Sequence, residues 1–172
     1  AKYFLAQCQL SQLNFEKGWS NFNFRWLSKN FDSIKFKSNL PNYLLDSVNK
    51  NLILWSEQGI GDQVLFIRFL EDLIPKVNNL YLQIDKRLHP IIKRILPNIN
   101  FYNKDNILDN TAINSQLPIG DLGSLFVKSK SYFNKKNNSY ITSDIEKNKY
   151  LQRKLNSKNK YICGLSWISK NK

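Results

Sequence analysis

The chain contains no methionine, a single histidine, His89, and two cysteines, Cys8 and Cys163, near opposite ends of its 172 residues. One histidine and no Cys-x-x-Cys pair leave no metal-ligand spacing, so the sequence carries no zinc signature. The cysteines read as two buried thiols in a reducing compartment rather than as a disulfide. No run approaches the roughly 18 uninterrupted apolar residues of a membrane span. The start, Ala1-Lys2-Tyr3-Phe4-Leu5-Ala6, is too short and too soon polar for a secretory signal. A cytoplasmic protein is expected. The missing methionine, initiator included, implies a piece cut from a longer chain. Acidic residues are also few, 13 against 26 Lys and Arg, for a net charge of +13. Such a charge suits nucleic acid or peripheral contact with an anionic membrane. The basic residues are scattered, however, and mixed with asparagines. The densest stretches, Lys128 to Lys136 and Lys147 to Lys160, are interrupted by Ser, Tyr and Phe or read as the wet face of a helix. Solvated surface is favoured over a nucleic-acid patch.

What is present suffices for one domain with a small appendage. Residues 3 to 27 are helical in pattern. Phe4, Leu5, Cys8 and Leu13 mark an apolar stripe, and Asn14 ends the first helix. Phe15 to Trp19 opens a second, with Trp19, Phe22 and Trp26 spaced for one face. Ala6 and Gly18 supply small residues where the two helices cross. A helical hairpin over 1–30 is expected, then an irregular connection over 31–50 around Pro41 and the polar run Asp46 to Asn51. Alternation begins next. Strands are predicted at Leu52–Ser56, Leu80–Ile84, Ile99–Tyr102 and Ala112–Pro118. Helices are predicted at Asp62–Ile74, Leu88–Leu96, Leu122–Val127 and Asp144–Leu155, the last capped by Ser143 or Asp144. Tyr161–Trp167 reads as a closing strand. Strands and helices alternating at this pitch argue for an α/β domain over 51–160, with a mostly parallel sheet covered on both faces. Residues 161–172 are then the last strand or the start of a further domain.

The densest chemistry lies in the run from Leu52 to Leu70: a buried strand, a turn with two glycines, and an amphipathic helix. In the simplest reading Asp62 caps that helix and stabilises it by about 1 kcal/mol. A dinucleotide fingerprint is a second reading, since Gly59-x-Gly61 follows a strand and Asp85 ends the next one. Val64 at the third glycine position and a carboxylate at Asp62, where a pyrophosphate would rest, weigh against it. Gly120 and Gly123 flank Asp121 in a second strand-to-helix turn, which in a doubly wound sheet lines the same cleft. His89 precedes Pro90 and reads as a surface or capping residue. Arg68 is expected to face solvent or pair with Glu71 or Asp72, and Trp55 to be core. Tyr132 and Phe133 among lysines read as loop anchors rather than a base-stacking platform.

The run from Trp55 to Leu70 also resembles the glycine–aspartate loop of bacterial heptosyltransferase-type glycosyltransferases. More closely, it is similar to the glycosyltransferase-like domains that follow tetratricopeptide repeats in bacterial proteins. The matching residues are Phe15-Glu16-Lys17-Gly18-Trp19 with Arg25-Trp26, the block Glu57 to Asp62, Phe66 to Leu70, Pro118 to Leu122, and the strand Ile162 to Trp167. The resemblance implies a Rossmann-like three-layer domain preceded by a tetratricopeptide-like hairpin. That would be the acceptor-side half of a two-domain GT-B enzyme, inactive alone. It implies Asp62 as the base that takes the acceptor hydroxyl proton. Gln58, Gly59, Gly61, Gln63, Gly120 and Asp121 would be substrate-binding residues, with no metal and a nucleotide-sugar donor as substrate. A sugar or other hydroxyl acceptor and a protein bound by the repeats would be its partners. The rival expectation is a non-catalytic binding module that keeps the fold without the chemistry.

Overall fold

The computed structural model describes residues 1–47, 50–102, 112–134, 139–155 and 163–165. The chain opens with two helices, α1 (Lys2–Ser11) and α2 (Phe15–Phe22), that pack against each other as a hairpin. A 3-10 turn over Asn23–Leu27 follows. The turn between the helices places Leu13 at φ 61°, and Asn14 N–H closes it on the Gln9 carbonyl. The buried stripe of α1 differs from the sequence expectation. Tyr3 and Ala6 are buried and Leu10 is partly so, whereas Phe4, Leu5, Cys8 and Leu13 are exposed. The reason is the partner. Tyr3, Ala6 and Leu10 recur at helical spacing and meet Phe22 and Trp19. Gly18 is required at the crossing, because a Cβ there would lie 2.6 Å from Leu10 Cδ2.

Four strands form one parallel sheet in the order β3-β2-β1-β4: β1 (Asn51–Trp55), β2 (Asn79–Gln83), β3 (Asn100–Phe101) and β4 (Ser115–Pro118). Leu54 pairs with Leu82 on one side and Leu117 on the other, so β1 is central. Its continuous apolar run fits a strand buried on both faces. The connection from β1 to β2 is α3 (Ile60–Phe66) and α4 (Leu70–Leu73), joined and ended by 3-10 turns. It therefore starts two residues earlier than expected. From β2 to β3 the chain passes through α5 (His89–Ile95), preceded by a 3-10 turn that Asp85 caps through Arg87 N–H. Among the described residues, a 3-10 turn (Ile119–Asp121) and the helices α6 (Leu122–Phe126), α7 (Ser131–Asn134) and α8 (Ile145–Leu155) follow β4. Asp144 caps α8 by accepting from Lys147 N–H at 2.9 Å. The expected strand Tyr161–Trp167 lies mostly outside the described residues, and 163–165 are irregular.

The two faces of the sheet are covered differently. Leu52, Leu54, Leu80, Leu82 and Leu117 join one core cluster with Phe66, Leu70, Leu73, Ile92 and Leu122 from the helices. Strand alternation turns Ile53, Trp55 and Gln83 the other way. There the described cover is not a helix layer but the irregular segment 34–43, with Trp26 beside it. Phe36 stacks on Trp55 at 6.1 Å and meets Tyr102 edge-on at 5.8 Å. Further along, Pro41 and Tyr43 bond the backbone of Gln116 on the free side of β4. Both cysteines are free and exposed, not buried as the composition suggested. Among the described residues no helix is long and apolar enough to cross a membrane.

Candidate functional site

The glycine turn leaves the carboxyl end of β1, the central strand. Gly59 takes the N-cap position of α3, since its carbonyl accepts the first helical bond from Gln63 N–H at 3.1 Å. Asp62 is thus not the cap. It stands in the first turn with no side-chain bond to the helix backbone, and it is exposed. A carboxylate there still gains from the partial positive charge of the helix start. Beside it Gly61 faces open space, with no atom within 4 Å of where its Cβ would be. Gln63 points inward and is buried. Its Nε2 donates to the Gln58 carbonyl at 3.0 Å and its Oε1 accepts from Asp85 N–H at 2.9 Å. This amide ties the glycine turn to the end of β2. Gln58 lies near Tyr3 of α1, whose phenol burial pushes above its ordinary pKa while the Gln58 side chain opposes the shift.

A second turn, Pro118 to Leu122, leaves β4 alongside the first. The two are joined by a residue from the helical hairpin. Arg25 is fully buried, and its Nε and Nη2 donate to Glu57 Oε2 at 3.0 and 2.9 Å. Nη2 also donates to Asp121 Oδ1 at 2.6 Å. The guanidinium lies 4.5 Å from the Phe22 ring centre and 4.8 Å from that of Trp26. Gly120 is buried against the same carboxylate, since a Cβ there would come within 1.8 Å of Glu57 Oε1. That oxygen has no hydrogen-bond partner among the described residues. Burial pushes the Glu57 carboxyl up to about 7, outweighing the opposing pull of Arg25. Of the sequence-derived set, Gln58, Gly59, Gly61, Asp62 and Gln63 occupy one turn, and Gly120 and Asp121 the other. Arg25 and Glu57 were named only as parts of a resemblance. The available signal was an arginine among Phe22, Phe24 and Trp26 in an otherwise amphipathic hairpin.

Two adjoining hollows open on the sheet face that carries Trp55. One, about 630 Å³, is lined by Lys35, Phe36, Lys37, Trp55, Gln83 and Tyr102 among others. The other, about 550 Å³, includes Trp26, Asn42, Trp55, Gln116 and Asp121. Asp62 lines neither. Asp85, the ribose partner of the dinucleotide reading, is engaged by Arg87 at 3.0 and 2.7 Å, and those bonds hold its carboxyl down at about 2. His89 stacks on Phe101 at 3.7 Å, and burial lowers its pKa. Arg68 lies 5.4 Å from the Tyr140 ring centre. Tyr132, expected in a loop, lies on the short helix α7, where it bonds Asp72 and packs on Phe69. Among the described residues no group of three or more His, Cys, Asp or Glu could hold a metal ion. No protein family, curated protein or solved structure matches the chain.

Proposed function

We propose that this chain is the acceptor-side half of a nucleotide-sugar-dependent glycosyltransferase of the two-domain type, with Asp62 as the base. The Rossmann-like identity of the sheet domain, the tetratricopeptide-like identity of the hairpin, and a cytoplasmic setting belong to this proposal. The observation that carries it is the placement of Asp62. Its exposed carboxylate stands in the first turn after the central parallel strand, with open space beside Gly61. Ligands of open parallel sheets collect at the carboxyl ends of strands. A carboxylate there can reach a sugar hydroxyl without a side-chain clash, take its proton, and leave the oxygen free to attack the donor's anomeric carbon. Gly59 and Gly61 leave room for the acceptor. Gln58 stands on the same turn and Asp121 on the neighbouring one, and Gly120 lets those turns close on each other. A donor domain elsewhere in the protein would grip the nucleotide, so residues 1–172 alone are inactive in this reading.

The test is Asp62→Asn in a protein that carries both halves. A positioned base contributes roughly 10²–10⁴-fold, so transfer should fall by at least about 100-fold while the fold is unchanged. Undiminished transfer would discard Asp62 as the base. A second reading, a non-catalytic module that binds a glycan or protein, is favoured by one observation: neither hollow is lined by Asp62. It requires Asp62→Asn to leave binding and any glycan phenotype intact.

A further inference from the structure

The strapped face of the sheet carries features that the transfer reading does not use. The larger hollow is lined by Ile34, Lys35, Phe36, Lys37, Trp55, Ser56, Gln83 and Tyr102, two lysines and no acid. Three of its lining residues are aromatic, with Phe36 6.1 Å from Trp55 and 5.8 Å from Tyr102. Trp55 is 5 % exposed and lines the hollow. Both lysines are exposed, and Lys35 Nζ sits 5.2 Å from the Trp26 ring centre. Lysines act as point charges toward phosphate. About 630 Å³ falls within the size range of small-molecule sites.

We infer that this hollow is a binding site for a phosphate-bearing ring compound, with Lys35 and Lys37 on the phosphate, Phe36 and Tyr102 against the ring, and Trp55 as the third aromatic wall. The aromatic walls set the ring, because apolar ring faces and edges pack there while Gln83 and Ser56 meet its polar substituents. The lysine pair, in a hollow that no carboxylate lines, sets the charge. Sugar phosphates and nucleoside monophosphates share this chemistry. The inference is independent of transfer at Asp62, which does not line the hollow.

The test is titration of the chain with glucose 6-phosphate, uridine 5′-monophosphate, glucose and inorganic phosphate, followed through the Trp55 indole N–H resonance by two-dimensional NMR. Trp55→Phe assigns that resonance. A saturable shift is expected with one or both phosphorylated rings, and the tighter of the two identifies the source. Glucose and inorganic phosphate should bind at least tenfold more weakly. Lys35→Ala with Lys37→Ala should weaken binding at least tenfold, while Lys149→Ala, remote on α8, should not. The proposal is overturned if neither phosphorylated ring shifts Trp55, if inorganic phosphate binds as tightly as they do, or if the double lysine variant binds unchanged. Failure here leaves the Asp62→Asn test unaffected, and the reverse also holds.

Discussion

Arg25 brings a positive charge into the interior, where an isolated ion would be costly. Its neighbours explain why it is tolerated: two bonds to Glu57, one to Asp121, and the faces of Phe22 and Trp26. Removing one partner from such a buried set costs roughly 3–5 kcal/mol, because it strands the other charge. Glu57 gives the set a pH dependence. Its folded pKa, about 7, lies above the ordinary 4.5 because burial disfavours the charged form. The folded state therefore binds this proton more tightly than the unfolded chain does. Stability from this group is fully present below about pH 4.5 and is lost as pH rises to about 7. Glu57→Gln should remove that slope. Urea unfolding of both proteins across this interval would show the gap between their midpoints changing with pH; a constant gap would refute the assignment. Asp62 shows the limit of a one-residue reading. The sequence marked it as a cap, yet Gly59 occupies that position, because which backbone carbonyl accepts the first helical bond depends on how the turn leaves β1.

At the scale of elements, the four described strands and most helices lie where apolar runs and periodicity put them. Leu52–Ser56 against Asn51–Trp55 and Leu122–Val127 against Leu122–Phe126 differ only at their ends. Fully buried strands advertise themselves through length and composition alone. The stripe of α1 does not. Phe4-Leu5-Cys8 and Tyr3-Ala6-Leu10 are both helical spacings, and only the approach of Gly18 and Phe22 selects the second. The turn after α1 holds Leu13 at φ 61°, a region costly for side chains with a Cβ. Leu13 is 49 % exposed, so little packing would be lost on truncation. Leu13→Gly is expected to raise the unfolding free energy by about 1 kcal/mol, measured by urea denaturation. A decrease would mean that the exposed leucine makes contacts that outweigh the backbone strain.

Across the whole molecule, the hairpin is bound into the sheet domain. Arg25 reaches Glu57 and Asp121, Trp26 packs on Trp55, and Trp19 Nε1 donates to the Val127 carbonyl at 2.9 Å. A chain beginning at residue 28 would leave Glu57 buried without its cation and uncover Trp55. It should lose its cooperative thermal transition and bind an apolar dye; a sharp melt close to that of the full chain would show the two parts to be separable. Chain order suggested a hairpin, a connection and a domain. Packing instead makes the connection a strap over one sheet face and makes the hairpin the source of a buried charge. By itself the sequence determined the strands, their parallel alternation with helices, and the two glycine turns, because burial and backbone geometry act over a few neighbouring residues. Only the tertiary structure decided that Arg25 meets Glu57 across 32 positions, that Gln63 is a tie rather than a free amide, and that Trp55 borders two hollows. Those outcomes follow from which surfaces come together once the chain has closed on itself, and local spacing carries no record of that.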